Sequence, residues 1–471
     1  MTEFRFELAQ LAADCFGQLI GADCPIARIH TDTRSVMPGD LFVAIRGERF
    51  DGNAFAAQAL AAGAAAVLVE RPDAVPPGAS AIVVYDSREA LAAIARAHRE
   101  RCAPRVLAVT GSNGKTTVKE MLATILRRVH GDDAVLATEG NFNNDIGLPL
   151  TLLRLTSLHR FAVCEMGMNH AGEIAQLCRI AEPDVGIITN AGSAHLEHLG
   201  SLENIARAKG EIVNGLRENG IAILPHTDGF LPLWLNLLGQ HPTITYGLDD
   251  HADLSGAVAS DGTLTLHRET QTGTCHLAIP GRHNAHNACA AIAAAVAAGV
   301  PVSAAAAALD GFGGSKGRLQ RRLSAVCGTV VDDTYNANPD SMRAAIAVLA
   351  EAPAPRILVL GDMGELGPDA PALHREVGAA ARAAGLESLL AVGELSRHTV
   401  AGFGAGGEHW TSHADLIAAL RPRLTPTTTT LVKGSRFMHM ETVVEALLAA
   451  GDISQPDDSA AASAPEATPC Y

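Results

Sequence analysis

Short apolar runs recur along the chain and alternate with longer segments whose apolar residues fall three and four apart. Runs at 106–109, 161–164, 185–188 and 221–224 each abut such a segment. A short apolar run suits a strand buried on both faces, and the 3.6-residue period suits an amphipathic helix. Their alternation predicts a central parallel sheet flanked by helices over residues 103–314. A β-rich insert carrying Thr and His is expected at 243–279. Residues 1–102 predict a smaller α/β domain, with strands at 26–29, 40–45, 66–69 and 82–84 and helices at 54–62 and 89–100. The stretch Asp310-Gly-Phe-Gly-Gly-Ser-Lys-Gly317 reads as a hinge. Strands then recur at 328–331, 357–360, 389–392 and 429–432, predicting a third, Rossmann-like α/β domain over 315–451. Residues 452–471 carry Ala, Ser, Pro and acids with no basic residue, so a disordered tail is expected there.

A chain of 471 residues suggests two to four domains. Aromatic residues make up only 4%, so the cores must be built from Ala, Val, Leu and Ile. The net charge of −15 excludes a global attraction for nucleic acid or anionic membrane. A polyanionic substrate would therefore have to be met locally. Nine cysteines without a C-x-x-C pair fit reduced thiols better than disulfides or zinc. The first residues lack the basic region and apolar core of a signal peptide, and the bland run 288–300 is too short to span a bilayer. A cytoplasmic site is expected.

The most specific chemistry lies in Thr110-Gly-Ser-Asn-Gly-Lys-Thr-Thr117, between the run 105–109 and the helical pattern 118–126. In such a strand–loop–helix, bare glycine amides and the positive helix end make a seat for phosphate. Lys115 would lie along the β- and γ-phosphates of ATP, and the Thr116 hydroxyl is placed to bind Mg²⁺. Val109 stands where the commoner pattern has its first glycine, so the loop is a tighter variant. Gly111, Ser112, Asn113, Gly114 and Thr117 complete it.

Sites of open parallel sheets form at the carboxyl ends of strands. Glu165 ends one run, where it is either a Mg²⁺ ligand or a surface acid. Asn190-Ala-Gly-Ser-Ala-His-Leu-Glu-His198 follows another, with His195 and His198 as metal, phosphate or merely structural groups. Lys209, inside the helical pattern 202–216, reads by itself as a solvated lysine. Asn284 and Asn287 share one helical face, suited to a nucleobase edge or, for Asn284, to capping. Asp332-Asp-Thr-Tyr-Asn-Ala-Asn-Pro-Asp-Ser341 suits nucleotide contact or N-capping of a helix at 342–349. Arg318 would reach a γ-phosphate if the domains close.

In this order, T-G-S-N-G-K-T-T, the Glu at 165, N-A-G-S-A-H-L-E-H-L-G-S, A-K-G-E-I, G-R-H-N-A-H-N and D-D-T-Y-N-A-N-P-D-S-M resemble the Mur ligases. The resemblance runs from Asp32-Thr-Arg-Ser35 and Pro38-Gly-Asp-Leu-Phe42 to Lys433-Gly-Ser-Arg436. It implies that Lys209 is carbamylated and joins Thr116, Glu165 and His195 as a Mg²⁺ ligand. It implies catalytic roles for Lys115, His195, Lys209 and Arg318, and nucleotide contacts at Asn284, Asn287, Arg318 and Asp333. Thr33, Arg34, Ser35, Asn143, Asn144, Tyr335, Asn336 and Lys433 become substrate contacts.

Gly140-Asn-Phe-Asn-Asn-Asp-Ile-Gly147 and Gly361-Asp-Met-Gly-Glu-Leu-Gly367 most resemble the branch that joins D-alanyl-D-alanine to UDP-N-acetylmuramoyl-tripeptide. Those two substrates and action as a monomer are expected. The Asp-Asn-Pro-Arg motif of the ligase adding the third amino acid is missing, and Leu199 stands where Phe is more usual. The alternatives are a sister ligase adding one amino acid, a folylpolyglutamate-type ligase, and an ATP-binding protein without ligase activity.

Overall fold

The computed structural model describes residues 5–47, 50–193 and 196–449. The expected tail at 452–471, His195 and the side chain of His198 lie outside the described residues. The fold is α/β and is built on three principal sheets.

The central sheet has nine strands in the order Gln271–His276, Thr263–Arg268, Leu254–Val258, Thr243–Gly247, Ile221–Pro225, Val185–Ile188, Arg105–Thr110, Phe161–Glu165 and Val135–Ala137. Neighbours run parallel from Val135–Ala137 through to Leu254–Val258. Leu254–Val258, Thr263–Arg268 and Gln271–His276 form the antiparallel insert expected from the Thr- and His-rich segment. Alternation along Arg105–Thr110 sends Val106 and Ala108 to one face and Leu107 and Val109 to the other. The first pair packs with helices Glu173–Ala181 and Leu202–Asn214 and with the core of the N-terminal sheet. The second packs with helices Lys115–His130 and Arg282–Ala297. Both faces are covered, which is why these strands read as unbroken apolar runs.

The N-terminal sheet orders Gln18–Ile20, Ala81–Val83, Ala66–Val69, Asp40–Val43 and Arg28–His30, parallel except for its first strand. The expected strand at 26–29 is split, because Pro25–Ile26 pairs instead with Phe6–Glu7. The third sheet orders Gln320–Ser324, Gly328–Asp333, Thr429–Lys433, Arg356–Leu360, Ser388–Val392 and Gly407–Trp410. Its two edge strands went unpredicted. Polar sequences such as Gln-Arg-Arg-Leu-Ser carry no apolar run, since an edge strand needs a partner on one side only. The helix expected at 342–349 begins earlier, at Pro339, with Asn338 as its cap.

Helix Leu202–Asn214 carries Lys209 and is fixed at its start and along its middle. Ser201 caps it by accepting from the Asn204 N–H. The fully buried Trp234 packs beside Gly210 and donates its indole N–H to the Ala206 carbonyl at 2.9 Å. A Cβ on Gly210 would stand 2.6 Å from Leu237 and 3.1 Å from Trp234, so helix and indole approach as closely as glycine allows. Trp234→Ala is expected to cost about 3–5 kcal/mol, read as a shift in urea unfolding, and Trp234→Phe distinctly less.

Candidate active site

The phosphate loop joins strand Arg105–Thr110 to helix Lys115–His130. Gly111 has φ +151°, and a Cβ there would fall 1.7 Å from the Thr189 hydroxyl. Gly114 caps the helix at φ +84°, and a Cβ there would meet Asn287 Oδ1 at 2.5 Å. These two glycines are steric requirements rather than incidental turn residues. The loop is tied to the neighbouring strand end. Asn113 N donates to Asn190 Oδ1 at 3.0 Å, and its carbonyl accepts from Asn190 Nδ2 at 3.0 Å and Thr189 Oγ1 at 2.6 Å. Ser112 donates to the Gly192 carbonyl at 3.0 Å and accepts from its N–H at 2.8 Å.

Lys115 Nζ donates to the Gly111 carbonyl at 2.8 Å, folded over the loop it would serve. Burial pushes its pKa down, opposed by Glu165; Arg318 lowers it further and Glu365 raises it. Thr116 donates to Glu165 Oε2 at 2.7 Å, while Asn143 Nδ2 donates to Glu165 Oε1 at 2.9 Å. The Glu165 N–H is held by Thr138 Oγ1 at 3.0 Å. Glu165 is buried at the loop, so the surface-acid reading does not hold. Thr117 follows on the first turn of the same helix.

Lys209 is 1% exposed, so the solvated reading does not hold. Its pKa lies well below the usual lysine range, because burial penalises the ammonium and Lys115 repels it. No group of three or more His, Cys, Asp or Glu side chains that could hold a metal occurs among the described residues. The Glu165 carboxylate and the Thr116 hydroxyl nevertheless suit Mg²⁺, which takes few protein oxygens and fills its shell with phosphates and water.

The third sheet brings further candidates to the same place. Arg318 lies 4.0 Å over the Tyr335 ring, where its charge still acts on Lys115. Lys433 Nζ pairs with Asp333 at 2.7 Å and donates to the Asn336 carbonyl at 2.8 Å. From helix Arg282–Ala297 of the central unit, Asn287 donates to Asn284 Oδ1 at 3.3 Å, and Asn284 donates to the Pro280 carbonyl at 2.7 Å. Capping by Asn284 is not what is found: the cap is Gly281, and Asn284 sits inside the first turn.

Two sets of expected substrate residues are engaged locally. Asn144 accepts from the N–H groups of Ile146 and Gly147, opening helix Gly147–Leu152. Thr33, Arg34 and Ser35 form a single turn at the carboxyl end of strand Arg28–His30. There Arg34 pairs with Asp32 at 2.6 Å, and Ser35 shares a hydrogen bond with His30. Residues not singled out also build the site: Thr138, Thr189, Asn190 and Ser193 within it, and Asn338 and Asp340 against it. N-capping was expected only before residue 342, so neither the cap at Asn338 nor its reach to Asn113 was foreseen.

The chain matches three family models: "Mur ligase family, catalytic domain" over residues 25–99, "Mur ligase middle domain" over 109–295 and "Mur ligase, glutamate ligase domain" over 317–436. It is 43% identical over 447 residues to the UDP-N-acetylmuramoyl-tripeptide--D-alanyl-D-alanine ligase of Escherichia coli K12, covering 93% of this chain and 98% of the relative. A crystal structure of MurF from Acinetobacter baumannii superposes with a TM-score of 0.87 at 36% identity, covering 94% of this chain and 98% of that one. MurF ligase from Thermotoga maritima, solved in complex with ADP, superposes with a TM-score of 0.79 at 29% identity, covering 89% and 96%. With sheet order, phosphate loop and end-to-end similarity in agreement, the chain belongs to the Mur ligase family.

Proposed function

We propose that this chain is the ATP-dependent ligase that joins D-alanyl-D-alanine to the terminal carboxylate of UDP-N-acetylmuramoyl-tripeptide, giving the pentapeptide precursor of peptidoglycan with ADP and phosphate. The observation that carries the reading is the grouping of Lys115, the Thr116–Glu165 pair and buried Lys209 at one sheet end. It stands in a chain similar almost end to end to ligases of that name.

A carboxylate does not condense with an amine in water until one oxygen becomes a good leaving group. The tripeptide carboxylate oxygen would bond to the γ-phosphorus of ATP as the bond to ADP breaks. The amine of D-alanyl-D-alanine would then attack the acyl carbon, and phosphate would leave with that oxygen while the nitrogen loses a proton. Phosphate-loop amides and Lys115 would hold the phosphates, and Arg318 would offset charge where two anions meet. Asn284, Asn287 and Asp333 would contact nucleotide. Thr33, Arg34, Ser35, Asn143, Asn144, Tyr335, Asn336 and Lys433 would line the way for the other substrates.

Thr116, Glu165, His195 and a carbamylated Lys209 would hold Mg²⁺, which supplies charge neutralisation when bound. The depressed pKa of Lys209 supports the modification, because only a neutral amine adds to carbon dioxide, and the carbamate replaces a cation with an anion. The domains in this reading span 1–102, 103–314 and 315–451, with a hinge at Gly313-Gly314. No helix among the described residues is long and apolar enough to cross a membrane. A cytoplasmic site would supply ATP and the UDP-linked precursor.

Phosphate release is expected only when UDP-N-acetylmuramoyl-tripeptide and D-alanyl-D-alanine are supplied together, with a pentapeptide product by mass. Turnover with a shorter precursor and a single amino acid would assign the chain to a sister ligase. Glu165→Gln is expected to raise the Mg²⁺ concentration for half-maximal activity by at least about tenfold, read in a Mg²⁺ titration. Lowering the pH protonates Lys209 and blocks its reaction with carbon dioxide. Activity after degassing is therefore expected to fall on the acid side and return with added bicarbonate; a bicarbonate-independent profile would remove the modification from the account.

A further inference from the structure

The first turn of helix Pro339–Ala350, in the third sheet's unit, rests on the phosphate loop of the central one. Asn338 Nδ2 donates to Asn113 Oδ1 at 2.8 Å. Its other amide atom is already committed, since Asn338 Oδ1 accepts from the Ser341 N–H at 2.9 Å as the helix cap. The cap therefore fixes which way the amide points, and it aims the N–H₂ group at the loop. Two residues on, Asp340 Oδ2 accepts from both the N–H and the hydroxyl of Ser193, at 2.9 and 2.8 Å. A Cβ on Gly192 would stand 2.7 Å from the same carboxylate oxygen, so the approach uses the glycine. Asn113 and Gly192 belong to the two segments already laced together through Ser112, Thr189 and Asn190.

We propose that Asn338 and Asp340 are positioning residues: a two-point clasp that seats the third unit on the phosphate loop and on the loop running through Ser193, fixing loop geometry and unit docking as one event. Neither residue is asked to touch substrate. The clasp acts through Asn113, a loop residue, and through Ser193, and it holds Arg318 and Glu365 where they act on Lys115. Its strength sets how firmly the third unit is docked on the phosphate loop. The proposal rests on the ligase reading above for its kinetic arm only.

Asn338→Ser separates the two jobs of that side chain. Serine caps a helix about as well as asparagine but is too short to reach Asn113. Losing one neutral hydrogen bond is expected to lower kcat by roughly tenfold, with ADP affinity of the isolated enzyme and thermal melting little changed. In a double-mutant cycle, Asn113→Ala combined with Asn338→Ser is expected to do no more damage than the worse single change. Independent losses that multiply, or wild-type kcat in Asn338→Ser, would overturn the clasp.

Small-angle scattering supplies an arm that needs no turnover. The nucleotide-free Asn338→Ser/Asp340→Ala protein is expected to be more extended than wild type, and identical profiles would likewise overturn the proposal. Failure of the wild-type enzyme to turn over the two substrates would instead strike the ligase reading, leaving scattering to decide the clasp.

Discussion

The backbone from Thr110 to Lys115 is pressed between Thr189 on one side and Asn287 on the other, so closely that neither Gly111 nor Gly114 has room for a methyl group. Once that loop is fixed, much else follows. The helix that starts at Lys115 can point only one way, which sets its exposed N–H groups and the Thr116 hydroxyl. That hydroxyl then lies 2.7 Å from Glu165, a residue delivered by the adjacent parallel strand in register with Val109. The loop through Asn190 is tied to the same backbone, so three strand ends are held as one rigid edge. Substituting either glycine would disturb every one of these placements together.

Charge is organised as locally as the steric constraint. The chain carries −15 overall, yet Lys209 and Arg318 both act on Lys115, which faces the buried Glu165 carboxylate. Burying like charges depresses both lysines, a cost that a polyphosphate beside them would offset. The two lysines answer that cost differently. Lys115 keeps a carbonyl partner and faces Glu165, as a phosphate-binding cation should. Lys209 is depressed by burial and by repulsion from Lys115, which agrees with the carbamylation proposed for it.

Much of this was legible in the sequence, because the informative residues sit beside strong local signals. The glycine loop and Glu165 at the end of an apolar run announce themselves by neighbours within a few positions. The central parallel strands were legible for the same reason, being buried on both faces. What stayed hidden depends on partners far away in sequence. Nothing near Asn143 shows that it will grip Glu165, and nothing near Asp340 shows that it will accept from Ser193. Lys209 is the sharpest case: its helix reads as an ordinary amphipathic one, and only the resemblance to a family gave it a role before its burial was seen. Edge strands such as Gly407–Trp410 were lost because one-sided pairing leaves no apolar run to detect.

The central claim is that the peptide carboxylate is activated by phosphoryl transfer within this rigid edge. Tripeptide precursor labelled with heavy oxygen in its terminal carboxylate tests it most directly, through the mass of the phosphate released during turnover with D-alanyl-D-alanine and ATP. An acyl-phosphate route hands one labelled carboxylate oxygen to phosphate in every turnover, and that is the result expected. Unlabelled phosphate accompanied by pentapeptide formation would contradict the account, because the carboxylate would then have been activated by some other group.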